Sequence, residues 1–458
     1  MQNSVLQPDM VDELADYLRQ GGRTLLIKGL PGSGKTTLAL HLLKTVGGSR
    51  GIYFSSRVSD ESMRKHFVDI HRILGEKNFI DTRLDLAENF LSQVFESIRN
   101  KPPIVVLDSW DAYAKKMSEI ERLKTEEVLI TLATSSESSL VFVGESIEHT
   151  NLDFLVDAIV EMKTGELEGR LIREMITHKL RGKPIWRNHE VISLYDAKMH
   201  TMDVYKRPEF AKSRITLADE DGDVFSLGTN QLNQLFGGVK RGSIFLIELS
   251  VDAPFELAES IGMGCVLNQL ARERRAIIVP PSGVDPILFL RKYESVMPWS
   301  SLTERVRMIV FEQLHGLVVP EKNSEDSVVR QLTTDDPQQL MANIFRVWGG
   351  AKKRSKDGGV IGFIDMSQFE TTFATKMDYL TELTAISISR LSLLRDSIIF
   401  VTREASTLKQ KIQPVSDVHI KITMKHGVGL MYGIKPYTVV YGINQCENPV
   451  QPLITPII

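Results

Sequence analysis

Lys35 and Thr36 close the segment Gly29-Leu30-Pro31-Gly32-Ser33-Gly34-Lys35-Thr36, whose spacing is G-x-x-x-x-G-K-T. Its glycines let the backbone curl until successive N–H groups converge on phosphate oxygens. The lysine brings a full positive charge to the β- and γ-phosphates, and the hydroxyl after it is placed to ligate Mg²⁺. The chemistry indicated is capture of ATP with Mg²⁺ by a P-loop, with Thr37 extending the binding set. A second acidic signal completes a metal site. Asp108 ends the apolar run Ile104-Val105-Val106-Leu107, the Walker B pattern. A carboxylate at a strand's carboxyl edge holds the water shell of the metal. Thr36 and Asp108 are therefore the expected metal residues, and Glu145, which ends the run Leu140 to Gly144, is expected at the nucleotide.

These residues need a scaffold that gathers them. Leu25-Leu26-Ile27 enters the loop as a strand, and Leu38 to Leu43 leaves it as a helix. A helix N-terminus there adds its partial positive charge to the phosphate site. Further strands are expected at Gly51 to Ser56, Ser139 to Ser146 and Ala158 to Met162, with Ser59 capping a helix that has Asp60 and Glu61 in its first turn. Near-continuous apolar strands separated by helix-length segments indicate a parallel sheet covered on both faces. Such sheets bind ligands at the carboxyl ends of their strands. Gly29 to Thr36, Ser55, Ser56, Asp108 and Glu145 should all meet at that edge.

The chain of 458 residues is too long for one ordinary core, and its second half echoes the first. Gly237-Gly238-Val239-Lys240-Arg241-Gly242-Ser243 leads into Ile244 to Glu248, but the next segment, Ser250-Val251-Asp252-Ala253-Pro254-Phe255-Glu256, has no glycine and no lysine. It cannot wrap a triphosphate, and its acids would repel one. Downstream, Asp365 follows Asp108 by 257 residues, Glu404 follows Glu145 by 259 and Asp417 follows Asp157 by 260. Near-constant spacing supports a duplicated domain. The expected organisation is a nucleotide-binding domain over 1–200, a polar linker over 201–224 and a degenerate domain over 225–458. Gly349 to Gly359 reads as an exposed loop carrying four cations. Solvation is the ordinary fate of such a run, and a phosphate-rich partner or an acidic protein face is the functional alternative.

Net charge is −3, which argues against wholesale nucleic-acid coating. The two cysteines, Cys265 and Cys446, show no metal or redox spacing, and no apolar run is long enough to span a membrane. The N-terminus does not read as a signal peptide. A soluble, cytoplasmic protein is the expectation.

His178-Lys179-Leu180-Arg181-Gly182 gives the layout a family likeness, because the first half resembles RecA-like ATPases of the KaiC type, which carry a K-L/M-R-G segment on a late strand. That resemblance implies that Lys179 and Arg181 act in trans, reaching a neighbouring subunit's γ-phosphate in a homo-oligomer. A solvent-exposed basic hairpin is the other reading. The start of the chain, Gln20 to Gly29 and the run Ser55-Ser56-Arg57-Val58-Ser59-Asp60-Glu61, resembles the GvpD gas vesicle regulatory family. The family likeness implies two tandem RecA-like P-loop-type α/β domains with largely parallel sheets, the second lacking a P-loop. It also implies ATP binding and regulation through a protein partner, including repression through a transcription activator. In active KaiC-type ATPases paired glutamates follow the strand after the first helix; Arg57 and Val58 stand at those positions here. Arginine stays protonated and cannot act as a base, so binding with slow turnover is expected. A DNA-binding recombinase-type ATPase and a KaiC-like phosphotransfer protein are the competing functions. The acidic balance counts against the first, and the single P-loop counts against the second.

Overall fold

The computed structural model describes residues 9–67, 78–84, 87–209, 217, 224–311, 327–444 and 450–458. Contacts divide the chain into two units, Met1–Met202 with Pro456–Ile458, and Asp203–Thr455. Of the segment read as a linker, 210–216 and 218–223 lie outside the described residues, as does Cys446. No helix among the described residues is long and apolar enough to cross a membrane.

The first unit is built on a nine-stranded sheet. Its strands are β1 (Thr24–Lys28), β2 (Ile52–Ser55), β3 (Phe79–Asp81), β4 (Ile104–Asp108), β5 (Ser139–Val143), β6 (Ala158–Leu167), β7 (Arg170–Leu180), β8 (His189–Ser193) and β9 (His200–Thr201), in the order β3-β2-β4-β5-β1-β6-β7-β8-β9. Strands β3 to β6 in that order run parallel, and β7 to β9 turn back as an antiparallel flank. Alternate residues of the central strands feed two cores. Leu25, Ile27, Val106, Val141 and Val143 face one layer, while Leu26, Val105, Leu107, Leu140 and Phe142 face the other. Burial on both faces is why these strands read as unbroken apolar runs.

The second unit repeats the plan. Its ten-stranded sheet comprises β12 (Ile244–Leu249), β13 (Arg275–Val279), β14 (Val306–Phe311), β15 (Val329–Leu332), β16 (Val360–Asp365), β17 (Ser397–Arg403), β18 (Val418–Lys425), β19 (Val428–Lys435), β20 (Tyr441–Asn444) and β21 (Leu453–Pro456), in the order β15-β14-β13-β16-β17-β12-β18-β19-β20-β21. A small pair, β10 (Val224–Phe225) and β11 (Val239–Lys240), precedes it. The chain is thus α/β, with two RecA-like, mostly parallel sheets in tandem.

The register shows which residues correspond. The Asp157 carboxylate accepts the Thr24 N–H, and the Asp417 carboxylate accepts the Ile244 N–H in the same place. Asp108 stands opposite Val143, and Asp365 opposite Val401. The expected match of Glu145 with Glu404 is off by one residue. Thr24 pairs with Leu140 and Ile244 with Ile398, so the counterpart of Glu145 is Arg403. Sequence spacing alone could not detect the slip, because Glu404 also ends an apolar run. Arg403 donates to the carbonyls of Ser250 and Ala253, at 3.4 and 2.6 Å, and so fills the turn that replaces a phosphate loop.

A second correction concerns the basic segment. Gly349 to Lys353 is not loop but the end of the helix Pro337–Lys353. The helix buries Leu340, Ile344, Trp348 and Ala351 on one stripe, and that apolar face outweighs the poor helix propensity of two glycines. Lys352 is half-buried and pairs at 2.8 Å with Asp396, which is buried.

Candidate nucleotide site

The P-loop lies between β1 and the helix Lys35–Leu42. Gly29 is required by crowding, since a Cβ there would sit 2.2 Å from the Met162 carbonyl oxygen. Gly34 holds φ at +101° directly before the helix, a conformation that side chains rarely adopt. No side chain caps this helix, so its first N–H groups face the concavity of the loop. The Ser33 hydroxyl is buried and has no hydrogen-bond partner among the described residues. An orphaned hydroxyl, an uncapped helix start and a lysine beside them fit a phosphate group.

Lys35 is 8% exposed, and its ammonium donates to the carbonyls of Gly29 at 2.7 Å and Leu30 at 2.9 Å. Burial pulls its pKa below the usual lysine value, opposed by the nearby charges of Glu145 and Asp108. Thr36 Oγ1 donates to Asp108 Oδ2 at 2.7 Å, and the same oxygen accepts the Tyr53 hydroxyl at 2.5 Å. Burial raises the Asp108 pKa, and these two hydroxyl bonds, with the charges of Lys35 and Arg57, work against the rise. Thr36 and Asp108 are thus adjacent, as a shared Mg²⁺ shell requires.

Glu145 is placed by Asp111, whose carboxylate accepts the N–H groups of Glu145 and Ser146 at 2.5 and 3.3 Å. Its own carboxylate pairs with Arg57 at 2.7 Å. Arg57 therefore supplies the counter-charge to a neighbouring acid. Ser56 Oγ accepts the Ser109 N–H at 2.8 Å and ties the ends of β2 and β4 together. Leu30, Pro31 and Gly32 form the outer turn of the loop, and Thr37 is buried in the first turn of the helix.

Lys179 and Arg181 are not brought to this edge. They lie where β7 ends, beside the start of β6: Arg181 pairs with Asp157 at 3.0 Å, and Lys179 donates to the carbonyls of Asp153 and Phe154. Asp157 meets the beginning of β1, so both cations stand at the opposite end of the sheet from the P-loop of their own unit. The cation on β7 that does reach the loop is Arg173, near the other end of the strand. It donates to the Gly32 carbonyl and to the Ile458 carbonyl, both at 2.7 Å. Tyr53, Asp111 and Arg173 carry no signal in the sequence, because only the sheet order brings them to the loop.

Comparison with known proteins places the loop within a matched family domain. Residues 15–178 match the family model described as GvpD gas vesicle protein, P-loop domain. The chain is 23% identical to Protein GvpD2 of Halobacterium salinarum, covering 96% of this chain and 94% of that protein. It is 22% identical to Protein GvpD1 of the same organism, with the same coverage of each chain.

Proposed function

We propose that this chain, a GvpD-like P-loop protein, is a Mg·ATP-binding switch that regulates gas vesicle formation through nucleotide-dependent contacts with a protein partner. The partner class that fits the family likeness is a transcription activator, whose action the protein would repress.

The observation that supports the reading is the set of exchanges the site demands. To hold a β- or γ-phosphate, the Lys35 ammonium would leave the Gly29 and Leu30 carbonyls, and Thr36, with Asp108 beside it, would be the group that holds a magnesium ion. Nucleotide binding would therefore remake hydrogen bonds in the loop and at the ends of β2 and β4, where Tyr53 and Ser56 are attached. Mg²⁺ supplies charge neutralisation of the phosphates; Ser33, Lys35, Thr36 and Thr37 hold and orient them.

Turnover has weaker support. A general base must reach the attacking water in its unprotonated, available form. Arg57 cannot be that base, and Glu145 is engaged by Arg57. The protein would then report ATP by staying bound to it. Pulldown of the activator with wild type and Lys35→Ala, with and without ATP, tests the switch: nucleotide-dependent capture by wild type alone is expected. Equal capture in all four conditions would reject it.

A further inference from the structure

The segment Pro456–Ile458 belongs to the first unit, although the chain reaches it from β21 of the second. Ile457 is fully buried there, and Ser193 Oγ donates to the Pro456 carbonyl at 2.5 Å. Two residues touch both this segment and the P-loop. Arg173 donates through Nε to the Ile458 carbonyl and through Nη1 to the Gly32 carbonyl, both at 2.7 Å. Leu194 donates its N–H to the same Ile458 carbonyl at 3.3 Å. Its side chain lies against Gly34, where a Cβ would come within 2.9 Å of Leu194 Cδ1.

One antiparallel pair carries both bridging residues. Arg173 is on β7, Leu194 directly follows β8, and the register of Glu174 opposite Val191 fixes one strand against the other. A single planar guanidinium that holds two carbonyls at once makes a stiff connection.

The contacts fall on parts of the loop that must be shaped before a phosphate arrives. Leu30 to Ser33 forms a turn closed by the Ser33 N–H on the Leu30 carbonyl at 3.2 Å, with Gly32 at φ +80°. Proline followed by glycine suits the centre of such a turn. A peptide unit is planar, so the guanidinium that fixes the Gly32 carbonyl also fixes the Ser33 N–H across the same plane. Gly34, against which Leu194 packs, is the last residue before the uncapped helix start that faces the site.

We propose that Pro456–Ile458 is a nucleotide-responsive latch, seated on the P-loop through Arg173 and Leu194, with Arg173 as a positioning residue for the loop. The inference rests on the reading that the loop binds Mg·ATP, and it adds how that binding is felt beyond the site. A seated latch holds the loop in one shape and so favours the nucleotide. By reciprocity, a bound nucleotide favours the seated latch. Because β21 runs directly into the latch, the chain of the second unit is covalently tied to the element that responds.

Hydrogen exchange and equilibrium titration of Mg·ATP test this in the full chain. In wild type, Mg·ATP should slow exchange of the Ile457 and Ile458 amides, and Lys35→Ala should show no slowing. Arg173→Ala should bind Mg·ATP about tenfold more weakly. Ile457→Ala, which alters the latch and leaves every loop residue in place, should show a loss of the same order. The double variant should bind no more weakly than either single one, because each removes the same coupling. Additive losses would mean independent structural roles and would overturn the latch. Wild type that binds Mg·ATP with unchanged exchange at Ile457 and Ile458 overturns it too, as does undiminished binding by Arg173→Ala. Wild type that binds no Mg·ATP would instead remove the P-loop reading itself, and the latch with it.

Discussion

Lys35 and Asp108 each sit where burial works against their own charge, and both effects can be measured. Burial lowers the Lys35 pKa, so the charged ammonium is less favoured in the folded chain than in the unfolded one. Lys35→Ala should therefore abolish the thermal shift produced by Mg·ATP without lowering the melting temperature of the protein alone. A drop of several degrees would mean that the two carbonyl bonds of Lys35 outweigh its desolvation. For Asp108 the sign is the reverse of the usual carboxylate. Its folded pKa lies above the ordinary 3.8, so its contribution is complete below that value and is lost as pH rises through the folded value. Asp108→Asn should melt higher than wild type at pH 7, with the difference vanishing as pH falls to about 3. It should at the same time lose the magnesium dependence of ATP binding. A melting difference that is flat with pH would contradict the assignment.

At the scale of elements, the two units use one strand position for opposite charges. The last residue of β1, Lys28, pairs with Asp153 at 2.5 Å, and both side chains are 7% exposed. Its counterpart on β12, Glu248, pairs with Lys409 at 3.0 Å and His419 at 2.9 Å. Breaking a buried pair strands one charge, at a cost of about 3–5 kcal/mol. Chemical denaturation should show Lys28→Ala losing about that much stability, and Lys28→Ala with Asp153→Ala losing less than the single change. Equal losses would show that Asp153 finds adequate partners in His149 and Thr150. Much of this architecture was legible in the sequence. The P-loop and the apolar strands are local patterns whose residue types follow from their chemistry, and the degenerate turn at Val251 was visible as a loss. Residues joined by sheet order were not legible. Arg173 meets a loop 141 residues away, Tyr53 meets Asp108 across 55, and no period in the chain encodes either distance. The helix through Gly349 and Gly350 is hidden in the sequence because its two glycines read as loop punctuation and mask the stripe Leu340, Ile344, Trp348, Ala351.

For the whole molecule, the placement of Lys179 and Arg181 away from the P-loop of their own unit leaves a neighbouring chain as the route by which they could act on a nucleotide. If they do, ATP should enlarge the particle more than ADP does, and replacing both with alanine should erase that difference while leaving single-chain ATP affinity nearly unchanged. Light scattering after size exclusion reads the masses directly; identical masses with ATP, ADP and no nucleotide would exclude this role. Every functional consequence nevertheless depends on the first unit binding Mg·ATP through its loop. Equilibrium titration of ATP into wild type and folded Lys35→Ala, with Mg²⁺ present and then chelated, measures this most directly. The account predicts magnesium-dependent binding by wild type and its loss in Lys35→Ala. Equal, magnesium-independent affinity in the two proteins would contradict it.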